Sequence, residues 1–193
     1  EQADSYLDWF QKWDTVLDWS FDKDDLHINW FKGGKLNVAY NCLDRHLETR
    51  GDQVAIIWEG DNPEEDRKIT YRELHQEVSK FANALKTRGV EKGDRVSLYL
   101  PMIPEAAVAM LACTRIGAMH SIVFGGFSPD ALKDRINDSD CKVVITSDQS
   151  MRGGKKVPLK ANADKAIESC PQVHTCFVVR RGGDPVQWDD ERD

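Results

Sequence analysis

The spacing of apolar and polar positions changes along the chain, and the change divides it near residue 53. Before that point Tyr6, Phe10, Trp13 and Leu17 recur at steps of four and three, with Asp8, Gln11, Asp14 and Asp18 between them. This is the period of one helix face, so a helix is predicted over 6–17. A solvated helix would not carry such large rings, and packing against the chain itself is preferred to a ligand cage. A turn at Lys32-Gly33-Gly34-Lys35 leads to Leu36, Val38, Ala39, Leu43 and Leu47, read as a second helix ending before Gly51. The first 52 residues are therefore expected to be helical and rich in tryptophan: they hold four of the six, Trp9, Trp13, Trp19 and Trp30.

From Gln53 onward short β-branched runs alternate with helical patterns. Strands are predicted at Val54–Trp58, Lys68–Ile69, Arg95–Leu100, His120–Val123, Lys142–Thr146 and Thr175–Val179. Thr70-Tyr71-Arg72-Glu73 has the form of a capping box and opens a helix burying Leu74, Val78, Phe81, Ala82 and Leu85 before Gly89. A second helix runs from Ile103-Pro104-Glu105 to Gly117, and its small apolar residues place it deep between layers. A third is capped by Ser128 with Pro129 at its first position, and a fourth lies near Ala161 to Ser169. Continuous apolar strands alternating with helices predict an α/β fold, with a largely parallel sheet flanked by helices over 53–193. Ligands of such sheets bind beyond the carboxyl ends of the strands, where Phe124–Phe127 and Ser147–Lys156 lie.

Composition narrows the function classes. The formal charge of −7 disfavours nucleic acid as a partner, so any phosphate ligand needs a local cluster of cations. No apolar run reaches the ~20 residues of a membrane span, and the acidic start Glu1-Gln2-Ala3-Asp4 is not the basic opening of a signal peptide. Glu1 is not an initiator Met, so earlier residues are expected to be missing. Five cysteines without a C-x-x-C pair fit free thiols in a reducing cytoplasm rather than disulfides. The five histidines show no metal-binding spacing, Asp44 and His46 make only an incidental pair, and no nucleophile elbow is present.

One stretch concentrates charge. Arg152, Lys155 and Lys156 flank Gly153 and Gly154 after a buried strand, and two glycines let backbone amides approach an anion. The residues alone leave two readings open, a phosphate-binding turn or a mobile surface loop; the pattern is not a P-loop. Phe124-Gly125-Gly126-Phe127 could seat a ligand ring on Phe124, although a tight strand-to-helix turn also accounts for it. Arg180-Arg181-Gly182-Gly183, followed by an acidic tail, is read as a solvated turn.

Longer runs carry a resemblance. Trp30-Phe31-Lys32-Gly33-Gly34-Lys35-Leu36-Asn37 and Asn41-Cys42-Leu43-Asp44-Arg45-His46 resemble the N-terminal cap of the acetyl-CoA synthetase family, within the adenylate-forming AMP-binding superfamily. Ile69-Thr70-Tyr71-Arg72-Glu73-Leu74, Gly93-Asp94-Arg95-Val96, Ile116-Gly117-Ala118 and the run from His120 to Ser128 are similar to its first core segments, in order. The resemblance implies a cap over 1–52 and the first part of the AMP-binding domain over 53–193. It implies an enzyme that converts acetate, ATP and CoA to acetyl-CoA, AMP and pyrophosphate through acetyl-AMP, with Mg2+. The family's Arg-Gly-Gly-Arg/Lys segment, which contacts CoA, falls on Arg152, Gly153, Gly154 and Lys155, and Phe124, Gly125 and Gly126 fall near the CoA nucleotide. Lys155 keeps the charge that some members carry on Arg but lacks its planar fork. The family's phosphate loop, nucleotide motifs, magnesium ligands and catalytic lysine lie further along, so no catalytic residue and no metal ligand is assigned in this chain. CoA is thus the one cofactor expected on this chain, and the remainder of the same enzyme its partner. A propionyl-CoA synthetase relative, or a CoA-binding or docking module without chemistry, is the competing identity.

Overall fold

The computed structural model describes residues 2–193. Its centre is a four-stranded, all-parallel sheet in the order β10-β7-β5-β6, built from β5 (Arg95–Leu100), β6 (Met119–Phe124), β7 (Val143–Ser147) and β10 (Thr175–Val179). Side chains alternate across it, as period-two geometry requires. Val96, Leu98 and Leu100 of β5, with Val143 and Ile145 of β7, face a core shared with α4 (Tyr71–Thr87) and α5 (Pro104–Ile116). Tyr99, Val123, Val144 and Cys176 face the other core, closed by α6 (Pro129–Asp138) and α7 (Leu159–Ile167). The parallel sheet flanked by helices is thus the fold expected from the sequence.

Local signals set the helix ends. The Thr70 hydroxyl accepts from the Glu73 amide at 3.2 Å, and the Glu73 carboxylate accepts from the Thr70 amide at 2.8 Å. Ser128 caps α6 through the Ala131 amide. α5 carries the small apolar face that the sequence suggested, burying Val108, Ala109, Ala112 and Cys113. Its last carbonyls, of Thr114 and Arg115, accept from the Asn37 side chain at 3.2 and 3.0 Å. Asp44 pairs not with His46 but with Arg115, at 2.7 and 3.1 Å, and with His75 at 3.3 Å, which ties the N-terminal region to α4 and α5.

The helix predicted over 6–17 is not what forms. α1 spans only Gln2–Tyr6, and an antiparallel hairpin follows, β1 (Thr15–Ser20) with β2 (His27–Lys32). Leu17 faces Trp30 and Trp19 faces Ile28 across it. The 6/10/13/17 spacing suits a helix, but Thr15, Val16 and Trp19 favour extended backbone, and the cross-strand partners lie in a segment that local periodicity does not see. The rings do pack on their own chain: Trp9 and Trp13 lie 4.9 Å apart, each against Phe31. The second helix is broken at Leu43 into α2 (Val38–Cys42), a 3-10 turn over Asp44–His46 and α3 (Leu47–Arg50).

Two further hairpins complete the chain, β3 (Val54–Glu59) with β4 (Asp66–Thr70), and β8 (Ser150–Arg152) with β9 (Lys155–Val157). The segment around Arg180–Gly183 is not a freely solvated turn. The amides of Arg181, Gly182 and Gly183 donate to the Asp148 carboxylate at 2.8 to 3.2 Å, and Asp148 is only 4% exposed. Burial pushes the Asp148 pKa up, but these three amides and that of Gln149 outweigh it and hold the carboxyl below its ordinary value.

Two outcomes follow from these contacts. Thr70→Ala should lower stability to chemical denaturation by about 1 kcal/mol, the usual cost of a lost cap; no change would show that the box is idle. Asp148 contributes stability that is fully present above its unfolded value of about 3.9 and lost as pH falls through its lower folded value. Asp148→Asn should destabilise the chain by about 2 kcal/mol near neutrality. The deficit should shrink in acid unfolding curves taken below pH ~4, and a constant deficit would contradict this.

Candidate functional site

β5 and β6 are parallel neighbours, yet their outgoing loops diverge. Pro101-Met102-Ile103 leads from β5 to α5 on one face, and Phe124–Ser128 leads from β6 to α6 on the other. Between such divergent loops a crevice opens at the carboxyl edge of the sheet, the place where ligands of open α/β sheets bind. Here it has a volume of about 590 Å³. Its floor is Leu100 to Ile103 with Phe124, Gly125 and Gly126.

Both stretches singled out from the sequence meet in this crevice. Ser147–Lys156 is not a loop throughout: β8 and β9 pair with Ser150 opposite Val157 and Arg152 opposite Lys155. Gly153 and Gly154 form the two-residue turn, with φ of +55° and +72°, a conformation that glycine adopts without strain. The hairpin brings Arg152 over β6, its guanidinium carbon 5.3 Å from the centre of the Phe124 ring. A Cβ on Gly126 would lie 2.6 Å from that ring and 3.2 Å from Arg152 Nη1, so only glycine lets the two stack as they do. Phe124, Gly125, Gly126 and Arg152 line the crevice. Gly153, Gly154 and Lys155 stand beside it at the exposed hairpin tip.

The opposite wall was not read as functional from the sequence. The β3–β4 hairpin leans over the crevice with Trp58, Glu59, Gly60 and Asp61. Trp58 Nε1 donates to the Met102 carbonyl at 2.7 Å. The Asp61 carboxylate accepts from the Gly153 amide at 3.2 Å and the Gly154 amide at 3.0 Å. Arg181 pairs with Glu65 at 2.8 Å and stacks over Trp58 at 5.1 Å, adding a second cation to the lining. Only the run Arg180-Arg181 in an acidic protein hinted at this, and nothing in its spacing placed it near residue 152.

The crevice therefore joins two guanidinium groups, the Glu59 and Asp61 carboxylates, two aromatic rings and a glycine-lined floor, so an anion there would be met by Arg152 rather than by a net positive lining. A larger cavity of about 700 Å³ lies between α7 and the tail, but Asp148, Asp164, Glu168 and Asp184 outnumber Lys156 and Lys165 there, which disfavours an anion. Among the described residues no group of three His, Cys, Asp or Glu side chains could hold a metal ion. No helix among them is long and apolar enough to cross a membrane.

Comparison with known proteins agrees with the fold. The acetyl-CoA synthetase from Halorhodospira halophila is 67% identical over the whole chain, and that from Magnetococcus marinus 68%. The chain spans about 30% of the length of each. Among solved structures, acetoacetyl-CoA synthetase from Streptomyces lividans superposes with a TM-score of 0.88 at 27% identity, over 98% of this chain and 28% of that one. Residues 1–42 match the model of the acetyl-coenzyme A synthetase N-terminus, and residues 43–193 that of the AMP-binding enzymes. The chain belongs to the AMP-binding enzyme family, and is similar over its full length to the N-terminal part of acetyl-CoA synthetases.

Proposed function

We propose that this chain is the CoA-docking portion of an AMP-forming acetate–CoA ligase. The longer enzyme would join acetate to ATP, releasing pyrophosphate, and then transfer the acetyl group from acetyl-AMP to the CoA thiol, releasing AMP. Acetate as the acid follows from the names of the two acetyl-CoA synthetases compared above rather than from a pocket in this chain. The ATP and Mg2+ sites are assigned to the remainder of the enzyme, because the family's nucleotide and magnesium motifs lie further along and the chain spans only about 30% of its relatives' length. The same remainder is the partner proposed for the exposed hairpin face carrying Trp19, Ile28 and Trp30. The free cysteines suit a reducing cytoplasm.

The observation that carries this reading is the stack of Arg152 on Phe124 above Gly125 and Gly126, at the carboxyl end of β6. Arg152 would neutralise a phosphate of CoA by charge-assisted hydrogen bonds, and the glycines would let the nucleotide lie against the backbone. Lys155 at the exposed tip would add a point charge. Calorimetry of the chain with CoA tests the reading. Arg152→Ala should weaken binding at least tenfold, the order of a charged hydrogen bond of about 1.5 kcal/mol or more. Equal affinity of the variant would refute the site. The chain alone should release no acetate-dependent pyrophosphate from ATP, and turnover would contradict the division of labour.

A further inference from the structure

The tip of the β8–β9 hairpin holds two amides that its own turn cannot satisfy. In a two-residue hairpin turn the N–H groups of both central residues point outward, and here both find one carboxylate. Asp61 Oδ1 accepts from Gly153 and Oδ2 from Gly154, at 3.2 and 3.0 Å. One oxygen per amide is the way successive backbone N–H groups cradle a phosphate or other anion. Asp61 lies 92 residues from Gly153 in sequence. Its own turn is braced, with the Gly60 amide donating to the Glu65 carbonyl at 2.7 Å and the Glu65 amide to the Asn62 carbonyl at 2.9 Å. The carboxylate is thus presented to the glycines from a firm base, and it also lines the crevice beside Arg152.

We propose that Asp61 is a built-in competitor whose carboxylate holds the Gly153 and Gly154 amides until a ligand phosphate displaces it. The crevice carries two cations, Arg152 and Arg181, the latter already paired with Glu65, and two carboxylates, Glu59 and Asp61. With this balance a singly charged carboxylate ligand gains nothing by displacing Asp61, since one carboxylate merely replaces another. A phosphoryl group brings more charge and more acceptor oxygens, and it alone gains from the exchange. Asp61 therefore lowers the apparent affinity of any anion that takes these two amides, and only a group that binds them more strongly than a carboxylate does displaces it. Displacement also frees the hairpin tip from the β3–β4 turn, so the mouth of the crevice opens as the phosphate enters.

This inference rests on the CoA reading above, and the test separates the two. CoA affinity is measured by calorimetry for the unmodified chain, Asp61→Ala, Asp61→Asn and Arg152→Ala. Asp61 sits in an exposed turn, so its variants keep the fold. Asp61→Ala should bind CoA about tenfold more tightly, the order expected for removing one like charge a few ångströms away under partial screening. Asp61→Asn, which keeps one acceptor oxygen without the charge, should fall between. Amide exchange at Gly153 and Gly154 should be slow in the unmodified chain, fast in Asp61→Ala, and slow again when CoA is added to that variant. If Arg152→Ala weakens CoA binding while Asp61→Ala leaves it unchanged or weaker, Asp61 does not compete and only this inference falls. If neither the unmodified chain nor Asp61→Ala binds CoA, both fall.

Discussion

The structure depends on one pairing: β5 and β6 run side by side in parallel while their following loops leave to opposite faces of the sheet. Parallel neighbours need a crossover, and α5 supplies it. The return of the chain to the far side of β5, through α6 to β7, then separates the two loops. The residues that line the crevice are arranged around that gap. The floor is backbone and glycine, the cations come from the hairpin after β7 and the segment after β10, and the aromatic wall comes from β3 and β6.

The cores on the two faces make this gap rigid. Leu98 and Ile145 on one face, and Tyr99 and Val144 on the other, are buried to within 2% exposure. Neither β5 nor β7 can slip by one residue without exchanging its two cores. The Tyr99 hydroxyl donates to the Phe127 carbonyl at 2.7 Å, which fixes the end of the Phe124–Phe127 loop from beneath. Around this frame the β3–β4 hairpin packs Ile56, Trp58 and Ile69 on the core, whereas the Gly153-Gly154 tip of the β8–β9 hairpin is exposed and held by the Asp61 carboxylate. That tip is the part whose position we propose an anion changes, because breaking its contact exposes little apolar surface.

The parts legible in the sequence were those decided by near neighbours. The Thr70–Glu73 box, the Ser128-Pro129 start of α6 and the β-branched run of β7 each depend on residues within a turn or a strand length, and each formed as read. The hairpin over Thr15–Lys32 was misread because its stability comes from pairing Leu17 with Trp30 and Trp19 with Ile28, partners nine or more residues away. Gly153-Gly154 between two short polar runs is a hairpin signal, but β8 and β9 lack the alternating apolar residues that mark strands, so the pairing is not legible locally. Phe124 and Arg152 were named from their places at strand ends, but their stacking was not legible. Asp61 and Arg181 were missed for the same reason: tertiary structure alone brings residues 61, 124, 152 and 181 to one crevice.

The central claim is that phosphorylated CoA sits where the loops after β5 and β6 part. A titration of the isotope-labelled chain with CoA, followed through its backbone amide resonances, tests it most directly. The account predicts saturable shifts confined to Gly125, Gly126, Arg152 to Gly154, the Asp61 turn and the residues flanking them. Shifts centred on α7 and the acidic tail, or none at ligand concentrations that saturate the calorimetric signal, would contradict it.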